Sequence, residues 1–282
     1  MKLKNNGAEI FIPDNMPVEA AFSRTTHLAV SAHQDDIEIM SYDGILKCFG
    51  MEDCWFSAVV TTNGAGSARN GLYASYTDED MQKVRKLEQK KAAYVGEYGV
   101  LALLDYKSSA VKDANNRDIV EEYKMLITAA RPKVIYTHNL ADKHDTHVGV
   151  VTKLIRALRE LPAELHPEKL YGCEVWRNLD WVNDSEKVMF DVSDHPNLAS
   201  ALLEVFDSQV CGGKRYDLAT VGRRLDHATY SESHGVDTAQ SLAYAMDLTP
   251  LIKDVNLDIK EYIKGYIDRF AGDVASRLSK VL

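Results

Sequence analysis

The sequence predicts an α/β protein with a Rossmann-like, mostly parallel sheet, helices on both faces and a C-terminal elaboration. Three observations predict it. Short apolar runs alternate with longer amphipathic stretches, which is the pattern of βαβ crossovers. The runs are continuously apolar rather than alternating, as in strands covered on both faces. The chain has 282 residues, 45% of them hydrophobic and 27% charged, enough for one large domain and unlike collagen-like or disordered chains. No repeat, low-complexity tract or linker divides it. A single domain over 1–282 is expected, with a core over about 25–170 and the elaboration over about 171–282.

In chain order, HLAVSAH (27–33) reads as a buried strand, and a helix-like segment follows to about Phe49. CWFSAVVTT (54–62) is a second strand, ended by the loop NGAGSARNG. Thr77 opens a helix with Asp80 in the acid position of a capping box. It runs to about Tyr98, with Val84, Leu87, Tyr94, Val95 and Tyr98 on its apolar side. VLALLDY (100–106) is a third strand. A helix over about 116–130 ends at Arg131-Pro132, because the residue before proline avoids the helical region. KVIYTH (133–138) is a fourth strand, and a helix over about 146–161 carries Val148, Val151, Leu154, Ile155 and Leu158 at helical spacing. Past 170 the pattern loosens. CEVWRNL and KVMFDVS read as an antiparallel strand pair, and Pro196 opens a helix to about Val210 that CGG breaks. Lys214–Tyr230 is a further helix, AQSLAYAMDL a late strand and 253–281 a terminal helix.

The formal net charge of −9 disfavours a nucleic-acid partner. No apolar run approaches the ~18–20 residues of a membrane span, and MKLKNNGAEIFIPDN lacks the apolar stretch of a secretory signal. A cytoplasmic chain is expected, with Cys48, Cys54, Cys173 and Cys211 as reduced thiols. They form no CxxC pair and no Cys₄ or Cys₂His₂ spacing, so a zinc that serves folding alone is not expected.

Ligands of open parallel sheets bind at the carboxyl ends of the strands, where the strand order reverses. Two titratable clusters fall there. The first is His33-Gln34-Asp35-Asp36, then Glu38. Two adjacent carboxylates in a cleft repel, and a divalent cation on one of them removes that penalty. The bland alternative is that Asp35 or Asp36 caps the next helix. The second cluster follows the fourth strand: His138, Asp142, His144, Asp145 and His147. His144 and His147 are three apart and share one side of a helix start. Taken singly, His147 reads as a satisfied core histidine; taken with the first cluster it reads as a ligand. Together His33, Asp36 and His147 make a two-His, one-carboxylate set with room for a fourth ligand, the arrangement of catalytic zinc. The same triad suits non-haem Fe²⁺ or another divalent metal.

At these residues the chain resembles the PIG-L/LmbE-like deacetylases. Ala32-His33-Gln34-Asp35-Asp36-Ile37-Glu38 matches their Ala-His-Pro-Asp-Asp-x-Glu stretch, and His144-Asp145-Thr146-His147 matches their His-x-x-His stretch. Arg85-x-x-Glu88 is similar to the family's Arg-x-x-Glu helix, and Asp105 sits where the family often has an acid. Ser233-His234-Gly235-Val236-Asp237 and Ala239-Gln240 look like a Gly-Val-x-x-Ala-Glu stretch of the bacillithiol-pathway branch. Gln34 replaces the usual proline, Ser41-Tyr42-Asp43-Gly44 a Gly-rich stretch, and Gln240 a glutamate.

The resemblance implies a hydrolase with one Zn²⁺ per chain that removes an acetyl group from an N-acetylated amino sugar, a small-molecule partner; homo-oligomerisation is left open. It implies His33, Asp36 and His147 as metal ligands, Asp35 as general base, and His144 as stabiliser of the oxyanion or proton donor with Asp142 orienting it. Arg85 is either a substrate clamp or a salt bridge to Glu88 on its own helix, and Asp105 and His234 are candidate substrate contacts, with Tyr230 and Glu232 beside His234. A bell-shaped pH profile is expected, with Asp35 or bound water on the acidic limb and His144 on the basic one. Two rival classes remain. A receiver-like phospho-acceptor module would use the acidic pair and Thr137 but none of the three histidines. A metal-dependent phosphatase or phosphodiesterase would need more positive charge than Arg69, Arg85 and Lys143, the only cations near the motifs.

Overall fold

The computed structural model describes residues 1–282. The chain enters on β1 (Glu9–Phe11) and α1 (Val18–Ser23), then alternates β2 (His27–Ser31), α2 (Asp36–Met40), α3 (Tyr42–Cys48), β3 (Phe56–Thr62), α4 (Asp78–Val95), β4 (Val100–Tyr106), α5 (Ser108–Lys112), α6 (Asp118–Ala130), β5 (Val134–His138) and α7 (Asp145–Glu160). The remainder supplies β6 (Lys169–Cys173), β7 (Val188–Asp191), α8 (Pro196–Glu204), α9 (Asp207–Val210), α10 (Tyr216–Tyr230), β8 (Leu242–Asp247), α11 (Pro250–Lys253) and α12 (Ile259–Ser279). No helix is long and apolar enough to cross a membrane.

All eight strands form one sheet in the order β1-β4-β3-β2-β5-β6-β8-β7. β2 to β6 are mutually parallel; β1 lies antiparallel on β4, and β8 runs antiparallel between β6 and β7. The period of two in a strand separates the core into two layers. Leu28, Val30, Val59, Ala102 and Ile135 meet α6 and α7 on one face, whereas Ala29, Ala58, Val60, Leu101 and Tyr136 meet α2, α3 and α4 on the other. The order reverses between β2 and β5: from β2 the chain winds outward through β3 to β4, and from β5 outward to β6. Both motif clusters hang from the carboxyl ends of these two strands.

The expected core elements all form, with differences that have local causes. The capping box of α4 is present, with Thr77 Oγ1 accepting the Asp80 N–H and the Asp80 carboxylate accepting the Thr77 N–H. The buried face of that helix is not the expected apolar one. Leu87 and Tyr94 are 55% and 57% exposed, whereas Arg85, Glu88 and Gln89 are buried, because α4 covers a polar site. The helix expected to run to Phe49 breaks at Ser41, whose hydroxyl donates to the Ile37 carbonyl. The helix expected over Pro196–Val210 likewise breaks, at Phe206. CEVWRNL does not pair with KVMFDVS. β6 stops at Cys173, and β8 fills the place between β6 and β7. The reason is Glu174. Its buried carboxylate accepts the Leu179 and Tyr244 N–H groups at 2.6 and 3.2 Å and meets His227 at 3.0 Å, doing for the backbone what a strand partner would otherwise do.

Candidate active site

β2 delivers its polar end to the switch point through a strained turn. Asp35 holds φ +87°, a left-handed conformation for a residue with a Cβ, at a cost of about 1–3 kcal/mol where surroundings enforce it. The surroundings do. The Asp35 N–H donates to Gln89 Oε1 at 3.2 Å, and Arg85 Nη2 donates to Asp35 Oδ2 at 2.8 Å and also to the Gln34 carbonyl. Gln34, at the usual proline position, ties the turn to β3 by donating to the Thr62 carbonyl at 3.0 Å. Gly64, at φ +74°, is required beside it, since a Cβ there would sit 2.7 Å from Gln34 Oε1.

The turn aims Asp36, the first residue of α2, at two histidines. Asp36 Oδ2 lies 3.2 Å from His33 Nδ1 and 3.4 Å from His147 Nε2, and these two nitrogens are 3.1 Å apart. Three donors around a tetrahedral ion at about 2.0–2.1 Å are separated by roughly 3.3–3.4 Å. The triangle is therefore of the size that fits such an ion, and the donor set suits zinc or another divalent transition metal. Burial would raise Asp36, but His147, His138 and His33 hold it well below the usual carboxylate range. It is ready to ligate.

The sequence places His138 at the end of the fourth strand without giving it a role. Its Nε2 is 3.5 Å from Asp36 Oδ2, and it falls with Asp36 and His147 in one group of donors. That nitrogen accepts the Ala32 N–H at 2.9 Å, however, so its lone pair is spent on the backbone. Burial and the neighbouring His147 push its pKa well down, so the ring is neutral. His138 stacks on His147 with centroids 3.9 Å apart and packs it in place. The signal was its position as the last residue of a strand.

The other expected residues divide. His144 is the N-cap of α7. Its Nδ1 accepts the Thr146 N–H at 3.2 Å, which leaves Nε2–H as the donor of the neutral ring. Burial, His147 and His33 lower its pKa to about 4, so at neutral pH it donates without carrying charge. That removes it from the basic limb of a pH profile. Asp142 does not orient the His144 ring; its Oδ1 accepts the His144 backbone N–H at 2.9 Å and its Oδ2 meets His147 Nδ1 at 3.4 Å. It is placed as the carboxylate behind a candidate ligand histidine. Arg85 is only 2% exposed; it pairs with Asp35, Glu88 and Ser208 and also forms part of the lining of the cavity over the site. Burial lifts Asp35 to about 6 against the opposing pull of Arg85.

Asp105 and His234 are not brought to the site. Asp105, at φ +62° beside a β3–β4 register shift, lies against Gly7 near the edge strand. His234 and Glu232 are exposed in the loop after α10, and Tyr230 is exposed at the last residue of that helix. The elaboration contributes a different wall. A cavity of about 510 Å³ above the donor triangle is lined by Trp176, Tyr216 and Thr220. Lys112, Lys214 and Arg223 line it too, so the site holds more positive charge than the motifs alone suggested. Arg69 is spent on Asp78, and the ammonium groups of Lys214 and Lys143 lie 5.0 and 5.8 Å from the Trp176 ring centre.

An acidic general-base candidate, a donor triangle for one cation and a neutral imidazole donor at a topological switch point define a Rossmann-like hydrolase site. Residues 28–158 match the PIG-L family model, described as GlcNAc-PI de-N-acetylase. The chain is thus an enzyme of the N-deacetylase class, an amide hydrolase. In fold it is similar to N,N'-diacetylchitobiose deacetylase from Pyrococcus horikoshii, at 13% identity over 84% of this chain and 88% of that one, with a TM-score of 0.64. A conserved protein from Thermus thermophilus is similar at 16% identity over 79% and 94%, TM-score 0.61. So is GalB, the 4-carboxy-2-hydroxymuconate hydratase of Pseudomonas putida KT2440, at 14% identity over 79% and 95%, TM-score 0.57. The last shows that the fold alone does not choose the chemistry. No curated protein sequence matches significantly.

Proposed function

We propose that the chain is a zinc-dependent hydrolase, one catalytic Zn²⁺ per chain, that removes an acetyl group from an N-acetylated amino-sugar conjugate. The observation that carries the reading is the His33–Asp36–His147 triangle with the Asp35 carboxylate beside it at the floor of an open cavity. His33, Asp36 and His147 would hold the ion, with Asp142 fixing His147. When bound, zinc supplies Lewis acidity and lowers the pKa of water from 15.7 to about 7. Asp35 takes a proton from the attacking water at Oδ1, because Arg85 occupies Oδ2 and fixes the carboxylate plane. The same carboxyl group can return that proton to the leaving amine. His144 Nε2–H donates to the oxyanion as it develops, without a change in its own protonation. Trp176 and Tyr216 offer aromatic faces to a sugar ring, and Lys112, Lys214 and Arg223 suit a conjugate with an anionic group away from the amide.

Those three cations also favour a second reading, a metal-dependent phosphatase or phosphodiesterase. One experiment separates the two. The zinc-loaded protein is offered an N-acetylglucosaminide, the same sugar bearing a phosphomonoester, and a phosphodiester conjugate, and acetate and phosphate are both assayed. Acetate release that a chelator stops is the expected result. Faster phosphate release would assign the site to the second reading.

A further inference from the structure

The amino ends of the strands hold another donor cluster, at the opposite end of the sheet from the catalytic rim. His27 opens β2, Cys48 closes α3, and Cys54 stands two residues before β3. Cys48 Sγ and Cys54 Sγ are each 3.4 Å from His27 Nδ1 and 3.1 Å from one another. Thr26 Oγ1 completes a four-cornered shell, at 3.0 Å from His27 Nδ1, 3.2 Å from Cys54 Sγ and 3.9 Å from Cys48 Sγ. We propose that His27, Cys48 and Cys54 form a second metal site, for a thiophilic divalent cation such as zinc.

The geometry fits that class of ion. Zinc bonds of about 2.3 Å to sulfur and 2.0–2.1 Å to nitrogen imply corner-to-corner distances of roughly 3.7 Å for S–S and 3.5 Å for S–N in a tetrahedron. The S–N edges already agree, and the two sulfurs need only part by about half an ångström. Soft thiolates with an imidazole select zinc over magnesium or calcium. Binding releases the two thiol protons to solvent, and the two thiolates balance the charge of the dication. The Thr26 hydroxyl is held at the fourth corner by the Trp55 backbone, accepting its N–H at 2.9 Å and donating to its carbonyl at 3.2 Å. Access is open, because Gly50–Asp53 between the two cysteines are exposed or nearly so and Cys54 is half-buried. The site is distinct from the catalytic one. His27 opens β2 and His33 lies beyond its other end, and the five residues of that strand alone span about 13 Å at 3.3 Å per residue.

The test uses the full chain loaded with Co²⁺ or Zn²⁺ after chelation. The wild type should bind two equivalents and, with cobalt, show a thiolate-to-cobalt charge-transfer band in the near ultraviolet. Cys54→Ser and His27→Gln should each lose the band and one equivalent while the other equivalent stays. His147→Ala should lose the other equivalent and keep the band. In the wild type, alkylation of Cys54 should be at least about tenfold slower with zinc than after chelation, since the free thiolate is the nucleophile. One equivalent without a sulfur band, or thiols that only a reductant and not a chelator makes titratable, would overturn the proposal. The second outcome would assign the pair to a disulfide. Loss of the catalytic equivalent alone would count against the deacetylase reading and leave the cobalt–sulfur band as the judge of this one.

Discussion

Arg85 to methionine is the most informative single change, because it removes one charge from a buried cluster and leaves its partners in place. The guanidinium donates to Asp35 at 2.8 Å, to the Gln34 carbonyl and to Glu88 at 3.4 Å, with every one of these side chains nearly excluded from water. Methionine fills much of the same volume, so the loss is chiefly electrostatic. Removing one partner of such a pair strands a buried carboxylate and costs about 3–5 kcal/mol. The stranded group is identifiable. Asp35 already sits at about 6 with Arg85 present; without that cation burial meets less opposition and the carboxyl is driven further up. Adding Asp35→Asn removes the stranded charge, so the double variant should recover roughly 1–3 kcal/mol relative to Arg85→Met alone, within the range of measured couplings for contacting residues. Urea denaturation of the wild type, both single variants and the double variant, all with chelator at pH 7, measures the coupling. If the double variant lost the plain sum of the two single losses, Arg85 would not be the partner that keeps Asp35 ionised, and the support assigned to α4 would fall.

Four further outcomes rest on the same geometry. Asp35→Asn should retain zinc and lose about 10²–10⁴-fold in kcat, the span of a positioned base; in the wild type, activity should rise with pH through about 6 as the carboxyl loses its proton, checked by a kcat/KM profile. Asp142→Ala should weaken zinc affinity about 10–100-fold through loss of the carboxylate behind His147, read by competition with a chromophoric chelator. His144→Ala should keep its metal and lose about 10²–10³-fold in kcat as an oxyanion donor is removed. The wild-type profile should show no imidazole limb near 6.5 from His144, since this ring titrates at about 4. Trp176→Ala should raise KM for a sugar conjugate severalfold, whereas His234→Ala should leave both constants unchanged; the reverse pattern would return the substrate wall to the loop after α10.

The core was legible because period and chemistry agree there. Every strand from 27 to 138 is a continuous apolar run that ends in polar residues, and both candidate metal-ligand motifs sit at those ends. What stayed hidden lies where long-range pairing decides. β1 is three residues long and forms only because Leu101–Leu103 offer an edge. β8 enters between β6 and β7 for want of a partner on CEVWRNL, whose glutamate, Glu174, turns its carboxylate onto the backbone. The face of α4 was misread because its polar residues are the buried ones. Spacing rules also miss a donor cluster whose third member comes from another strand. Cys48 and Cys54 show no familiar interval, and His27 is placed beside them only by the parallel register of β2 on β3.

Arg224 on α10 is buried and donates to the carbonyls of Glu38 and Ile39 at 2.9 and 3.1 Å. It therefore holds the short helix that carries Asp36 from the far side. The order of synthesis gives this contact a consequence. The family-matched stretch leaves the ribosome long before residue 224 does, and a domain emerging at about 5–20 residues per second waits several seconds for the rest of its chain. During that interval α2 is held by Gln89 and Tyr98, which donate to Glu38, but lacks Arg224; β7 has no neighbour and the cavity has one wall missing. A nascent chain halted near residue 170 should hold much of its sheet and none of its activity. Competence is expected only once α10 and its Arg224 have been made.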